Sequence, residues 1–187
     1  MYADHTLTPR EAIRLCALGL LAGGPQPYDD VVFAVRHFVS RMTGPSLELM
    51  GESIELLKYE GLVESAGAED GSLSISLRGR EVLGELLRAN VRAGSGAMND
   101  LVFALKMRFL HLLSAEEQRA QVELMIEACE SELARIEDVS SDESGHLAGW
   151  LAIEAQRLDA RIEYLKHVLA AGDPQLAAGH VGRVVGT

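Results

Sequence analysis

A mainly α fold in two parts is predicted by three features of the 187-residue sequence. Apolar residues recur at three- and four-residue spacing along most of the chain, the pattern of helices that bury one face. Between Leu56 and Leu87 a helix ends in Glu60-Gly61-Leu62-Val63, a polar hairpin around Glu69-Asp70-Gly71 follows, and Ile75-Ser76-Leu77-Arg78-Gly79-Arg80-Glu81 leads back into a helix. Past Gly94-Ser95-Gly96 the chain changes character, to a strongly apolar helix and then two helices with narrow apolar seams. The combination describes a winged helix-turn-helix domain with a small β-hairpin wing, joined to a C-terminal helical, coiled-coil-like dimerisation region.

Each element has a local reason. Thr8-Pro9-Arg10-Glu11 is a capping box with proline in the first helical turn, so a helix starts there, with Ile13, Cys16, Ala17, Leu20 and Leu21 facing inward. Gly23-Gly24-Pro25 stops it. A second helix spans Tyr28 to Met42: Asp29 and Asp30 favour the positive end of its dipole, and Val31, Val32, Val35, Phe38 and Val39 supply the buried stripe. Thr43-Gly44-Pro45 breaks it, and Ser46 caps a third helix that buries Leu47, Met50, Ile54 and Leu57.

Leu62-Val63-Glu64-Ser65 and Ser72-Leu73-Ser74-Ile75 form the two strands of the wing around the Asp70-Gly71 turn. Ser76 caps a fourth helix that buries Val82, Leu83, Leu86 and Leu87. From Met98 to Leu113 nearly every position is apolar, and a helix hydrophobic on several faces needs cover on several sides, which argues for a subunit interface. Ser114-Ala115-Glu116-Glu117 is a second capping box, opening a helix with a seam of Val122, Ile126, Cys129, Leu133 and Ile136. After a polar loop the last helix carries a matching stripe of Leu147, Leu151, Leu158, Ile162, Leu165 and Leu169, so the two are expected to pair antiparallel. The expected division is residues 1–93 for the winged domain, 97–171 for the helical dimerisation domain and 172–187 for a flexible tail.

Composition narrows the function. No apolar run reaches the roughly 18 residues of a membrane helix, and the N-terminus lacks the basic and apolar regions of a signal peptide, so a cytoplasmic location is expected. Cys16 and Cys129 lie in helical apolar stripes without ligand-spaced neighbours and read as reduced core thiols. Six scattered histidines form no metal-ligand motif, and the sequence holds no nucleophile elbow or phosphate-binding glycine loop. Acidic pairs such as Glu116-Glu117 and Asp142-Glu143 fall at a helix start and in a loop, where dipole and solvation explain them. No enzymatic activity, metal or cofactor is expected.

The order of parts resembles the PadR-like winged-helix transcriptional regulators. Glu60-Gly61-Leu62-Val63 is similar to that family's helix-ending segment, and Ile75-Ser76-Leu77-Arg78-Gly79-Arg80 to its Leu-Thr-x-x-Gly-Arg segment, with Ser in place of Thr. The runs at 132–136 and 161–165 look like its late dimerisation helices, so the resemblance covers roughly residues 8–171. It implies a homodimer that binds DNA through the third helix and represses by occluding a promoter. It also allows a flat hydrophobic effector to be held by an aromatic side chain at the dimer centre, for which Trp150 is the candidate; packing against a neighbouring helix is the other reading of this lone Trp.

Charge argues with that implication. Net charge is −11; the first 95 residues carry nine Lys and Arg against 13 Asp and Glu, and the rest eight against 15. The third helix presents Glu48, Glu52 and Glu55 against Lys58, with Gly51 where relatives have an aromatic, and the wing holds Glu64, Glu69 and Asp70 without a cation. Carboxylates facing phosphate repel it. DNA contact is therefore expected from Arg36 and Arg41 on the second helix, Ser46 at the third helix, and Lys58, Arg78 and Arg80. The alternative is a degenerate winged-helix module whose acidic third helix and wing bind a basic protein partner instead of DNA.

Overall fold

The computed structural model describes residues 6–44, 54–67, 71–94 and 96–171, which fall into two compact units. The first unit comprises residues 1–90 and 96–112, the second 91–95 and 113–187.

In the first unit, α1 (Pro9–Ala22) starts at the expected capping box: Thr8 Oγ1 accepts from the Glu11 amide, and the Thr8 amide donates to Glu11 at 2.8 Å. Its Ala12, Leu15, Cys16, Ala17, Leu18 and Leu21 are buried, because α1 is packed by α2 (Tyr28–Thr43), α4 (Leu77–Arg88), α5 (Ala97–Phe109) and the sheet. Burial pushes the Cys16 thiol up to about 12, so it is held neutral as a core side chain. The described part of the third helix is α3 (Ile54–Tyr59), which buries Ile54 and Leu57; Ser46, Leu47 and Met50 lie outside the described residues.

The wing forms as expected, with β2 (Val63–Ser65) antiparallel to β3 (Ser72–Ile75) in the register Val63↔Ile75. A third strand was not anticipated. β1 (Gln26–Pro27) pairs with β3 on its other side, Gln26 opposite Leu73, giving the order β1-β3-β2. Gly23-Gly24-Pro25 does end α1, but the next two residues then run extended along the wing before α2 begins.

The strongly apolar helix α5 is part of this unit, where the sequence reading assigned it to the dimerisation region. It packs on α1 and α2 of its own chain, and Leu101, Val102, Phe103, Leu105 and Phe109 are buried. The approach to α1 is close enough that a Cβ at Gly19 would stand 2.7 Å from the Phe109 ring. Its several apolar faces thus find cover inside the chain, which removes the reason for inferring a subunit interface from this helix. Lys106, on the same helix, is completely buried and donates to the carbonyls of Leu87 (2.6 Å) and Ala89 (2.5 Å). Those carbonyls end α4, where a helix has no backbone donors left to offer. Burial lowers the Lys106 ammonium to about 7.

The second unit is the antiparallel pair α6 (Ala115–Ser141) and α7 (Gly145–Ala171). Ser114 and Glu117 form the second capping box, and Val122, Ile126, Cys129, Leu151, Leu158, Ile162 and Leu165 are buried. Lys166 reaches Glu130 at 3.5 Å, tying the helices on their outer side. Leu147, expected in the inner stripe, is exposed instead, and Val168 takes a buried place near the other end.

Candidate nucleic-acid interface

The junction of α3, wing and α4 is assembled by backbone chemistry that both sequence motifs encode. At the end of α3 the Leu62 amide donates to Leu57 O (2.8 Å) and the Gly61 amide to Lys58 O (3.1 Å). This is a Schellman cap, and it needs a left-handed residue, supplied by Gly61 at φ 71°. Leu62, buried beyond the cap, anchors the start of the wing. Glu60, beside it, pairs with Arg14 of α1 at 3.0 Å, with both side chains mostly buried.

The second motif closes on the first. Ser76 caps α4 by accepting from the Gly79 amide at 2.9 Å, while its own hydroxyl donates to Gly61 O at 2.7 Å and its amide to Leu62 O at 3.1 Å. A Cβ on Gly79 would lie 2.1 Å from Leu62 O, so only glycine lets the first turn of α4 lie against the strand. The two segments are one interlocked turn.

The cations predicted to touch DNA are disposed around this framework. Lys58 is exposed in the last turn of α3, and Arg78 and Arg80 are exposed in the first turn of α4, on either side of Gly79. The structure therefore joins Lys58, Arg78 and Arg80 to one junction, through the bond from the Gly61 amide to Lys58 O and the bond from the Ser76 hydroxyl to Gly61 O. Arg36 and Arg41 are exposed on α2, a separate element, and Ser46 lies outside the described residues. None of these five cations forms an ion pair among the described residues. Glu55 and Glu64 are exposed in the same region, so the acidity read from the sequence persists there; Glu48, Glu52, Glu69 and Asp70 lie outside the described residues. A cleft of about 230 Å³, lined by Tyr28, Ile54, Glu55, Lys58, Gly71 and Leu73, separates the start of α2 from α3 and the wing.

Sequence reasoning missed several features of this unit. Tyr59 and Leu77 are 89% and 84% exposed, one at the end of α3 and the other at the start of α4. Phe33 stacks on His37 on the outer side of α2, ring centroids 5.7 Å apart. The signal for Phe33 was its position, out of phase with the Val31, Val35, Val39 stripe. In the second unit Trp150 is 57% exposed and does not pack into the helix pair. The cleft of about 280 Å³ in that unit lies between the start of α6 and the end of α7, lined by residues such as Arg119, Val122 and Val168, and excludes Trp150.

The model of the AphA-like transcriptional regulator family matches residues 2–169, nearly the whole chain. The chain belongs to this family. The family is one of transcriptional regulators, in agreement with the resemblance drawn from the two motifs. Two crystal structures of PadR from Bacillus subtilis are similar to it. One is 16% identical, covering 87% of this chain and 99% of that one, with a TM-score of 0.37. The other is 15% identical, covering 90% and 98%, with a TM-score of 0.38. A comparison with curated proteins yields no match. Among the described residues, no helix of this AphA-like chain is long and apolar enough to cross a membrane.

Proposed function

We propose that the chain is a cytoplasmic, homodimeric repressor that binds promoter DNA, with Lys58, Arg78 and Arg80 as the phosphate contacts nearest the wing. The observation that carries this reading is the interlocked junction itself. It presents three exposed cations, without ion-pair partners among the described residues, on a framework rigid enough to hold them. Arg36, Arg41 and Ser46 are the further proposed contacts. Two copies of α3 would enter successive major grooves of a pseudo-palindromic site.

Self-association is assigned to α7. Leu147, Trp150 and Ile153 are exposed at a spacing of three residues on one side of that helix, and burying each large apolar side chain favours association by about 1.5–3 kcal/mol. Trp150 is also the proposed contact for a flat hydrophobic effector. In light scattering at micromolar concentration the unaltered chain is expected as a dimer and the Trp150→Glu, Ile153→Glu variant as a monomer. A dimer that survives both substitutions would move the interface elsewhere.

The test of the main reading is fluorescence anisotropy with the duplex upstream of the protein's own gene. Affinity should fall steeply with salt, and Lys58→Ala or Arg78→Ala should each reduce the salt slope by about one. No binding at low salt, with or without aromatic effectors, would leave the second reading: a protein-docking module. That reading is favoured specifically by Tyr59 and Leu77, two large side chains left in solvent at the end of α3 and the start of α4, in a region where Glu55 and Glu64 are also exposed. It predicts capture of a basic protein that is lost on Tyr59→Ser.

A further inference from the structure

We propose that the outer face of α2, centred on Phe33, is a self-complementary surface that pairs antiparallel with the same face of a second copy of this chain. It is a self-association surface separate from the one assigned to α7, and it rests on no property of DNA.

Helix periodicity sets the composition of this face. Val31, Val35 and Val39 are buried, so the opposite side of α2 is centred on Phe33 and carries Asp29, Asp30, Arg36, His37 and Ser40, all exposed. At about 100° per residue, each of these side chains projects within roughly 60° of Phe33. Phe33 itself is 69% exposed, a large apolar side chain left in solvent at the middle of a polar stripe. His37 stacks on its ring at 5.7 Å between centroids, which fixes the ring's orientation from within the same helix.

The order of charges along the face names the occupant. Asp29 and Asp30 stand four and three residues before Phe33, and Arg36 and His37 stand three and four residues after it. Each residue advances about 1.5 Å, so a two-fold axis at the level of Phe33 brings the acidic pair of one copy level with Arg36 and His37 of the other, roughly 4.5–6 Å from the centre. Both ends pair at once, and Phe33 meets its own copy between them. Asp29, Asp30 and Arg36 form no ion pair among the described residues, so no contact within the chain competes. A partner of one sign fits only half of this face: a polyanion meets Asp29 and Asp30, and a polycation meets Arg36. A second copy satisfies both. Six exposed residues on one helix are a small contact beside the roughly 800 Å² per partner of a stable complex. The dissociation constant is therefore on the order of 10⁻⁴ M, too weak to act at micromolar concentration. Arg36 is also offered to phosphate in the reading above and serves one partner at a time, so pairing through α2 withdraws it from DNA.

The experiment is sedimentation equilibrium of the full chain at low salt, from about 10 to 500 µM, in the Trp150→Glu, Ile153→Glu background so that α7 does not contribute. The mass is expected to rise with concentration towards twice its starting value, and added salt should suppress the rise. Phe33→Ser should weaken association about ten-fold. Two charge reversals carry the decisive test: Asp29→Lys, Asp30→Lys in one chain and Arg36→Glu in another. Each alone should lose association, because like charges then face each other across the two-fold axis. An equal mixture of the two should regain it, since opposite charges face each other again at both ends, and that recovery also shows that both variants are folded. A mass independent of concentration, a rise unaffected by any of the variants, or a mixture that stays unassociated would each overturn the pairing. Should the Trp150→Glu, Ile153→Glu chain already be a dimer at the lowest concentration, the α7 assignment fails by itself, and the same reversals still decide this one. A dimer that Arg36→Glu dissociates and mixing restores supports pairing through α2, and a dimer indifferent to both reversals overturns it.

Discussion

Replacing Lys106 by methionine should change the pH dependence of stability by an amount the structure sets. The ammonium is fully buried, and desolvation lowers it from 10.5 to about 7 in the folded chain. Folding therefore favours the neutral amine. Above pH 7 the folded state has released a proton that the unfolded state keeps until about pH 10.5, so stability rises with pH through that window and is lost again as pH falls through 7. At full slope this is about 1.4 kcal/mol per pH unit; integrated from pH 6.5 to 8.5, with the curvature near the folded value, it is about 2 kcal/mol. Methionine keeps the apolar stem and removes the titrating group. It also leaves the Leu87 and Ala89 carbonyls without their donor, a destabilisation of about 1–3 kcal/mol that does not vary with pH. The offset between the two proteins is thus less informative than its change. Urea denaturation at pH 6.5, 7.5 and 8.5 should show the original chain gaining about 2 kcal/mol relative to Lys106→Met across the series. Parallel stability profiles, or a loss of stability by the original chain relative to Lys106→Met as pH rises, would refute the reasoning.

Three other perturbations test the framework. Gly79→Ala forces a Cβ to within 2.1 Å of Leu62 O, a backbone atom that cannot swing aside, and should destabilise by about 1–3 kcal/mol with an unchanged m-value; a urea midpoint like that of the parent would contradict the close approach. The Arg14–Glu60 pair should show a coupling of about 1 kcal/mol in a double-mutant cycle with Arg14→Ala and Glu60→Gln, and additivity would mean that the pair does not fasten α1 to the end of α3. Cys16, with its thiol pushed up to about 12 by burial, should react with a thiolate-selective reagent at pH 8.5 on the order of 10³-fold more slowly in the folded chain than in denaturant; equal rates would place it in solvent.

The elements legible in the sequence were those whose cause is local. Thr8 with Glu11 and Ser114 with Glu117 cap their helices as expected, since a capping box involves residues only three apart. Gly61 and Ser76 end and begin helices for equally local reasons. The wing's two strands followed from alternation and a turn, whereas β1 did not, because a two-residue strand carries no period and exists only by pairing with Ser72 and Leu73. The candidate cations were legible as residue types. Their grouping was not: Lys58 and Arg80 are brought to one junction by hydrogen bonds between Gly61 and Ser76, fifteen residues apart.

Burial marks the same boundary. The apolar wealth of α5 showed that it needed cover on several sides, and periodicity cannot say whether that cover comes from a second chain or from α1 and α2; here it is the chain's own helices. Lys106 looked like an interruption of that apolar run and is the buried donor to the end of α4; Trp150, open in the sequence to an effector contact or to packing against a neighbouring helix, is 57% exposed. By itself, then, the sequence determined helix limits, caps, the wing hairpin, the paired late helices and the family, all of which depend on spacing within a few turns or on short motifs. Only tertiary structure decided which faces are covered and by what, because burial and charge environment are set by residues distant in sequence, and a local pattern carries no information about its partner.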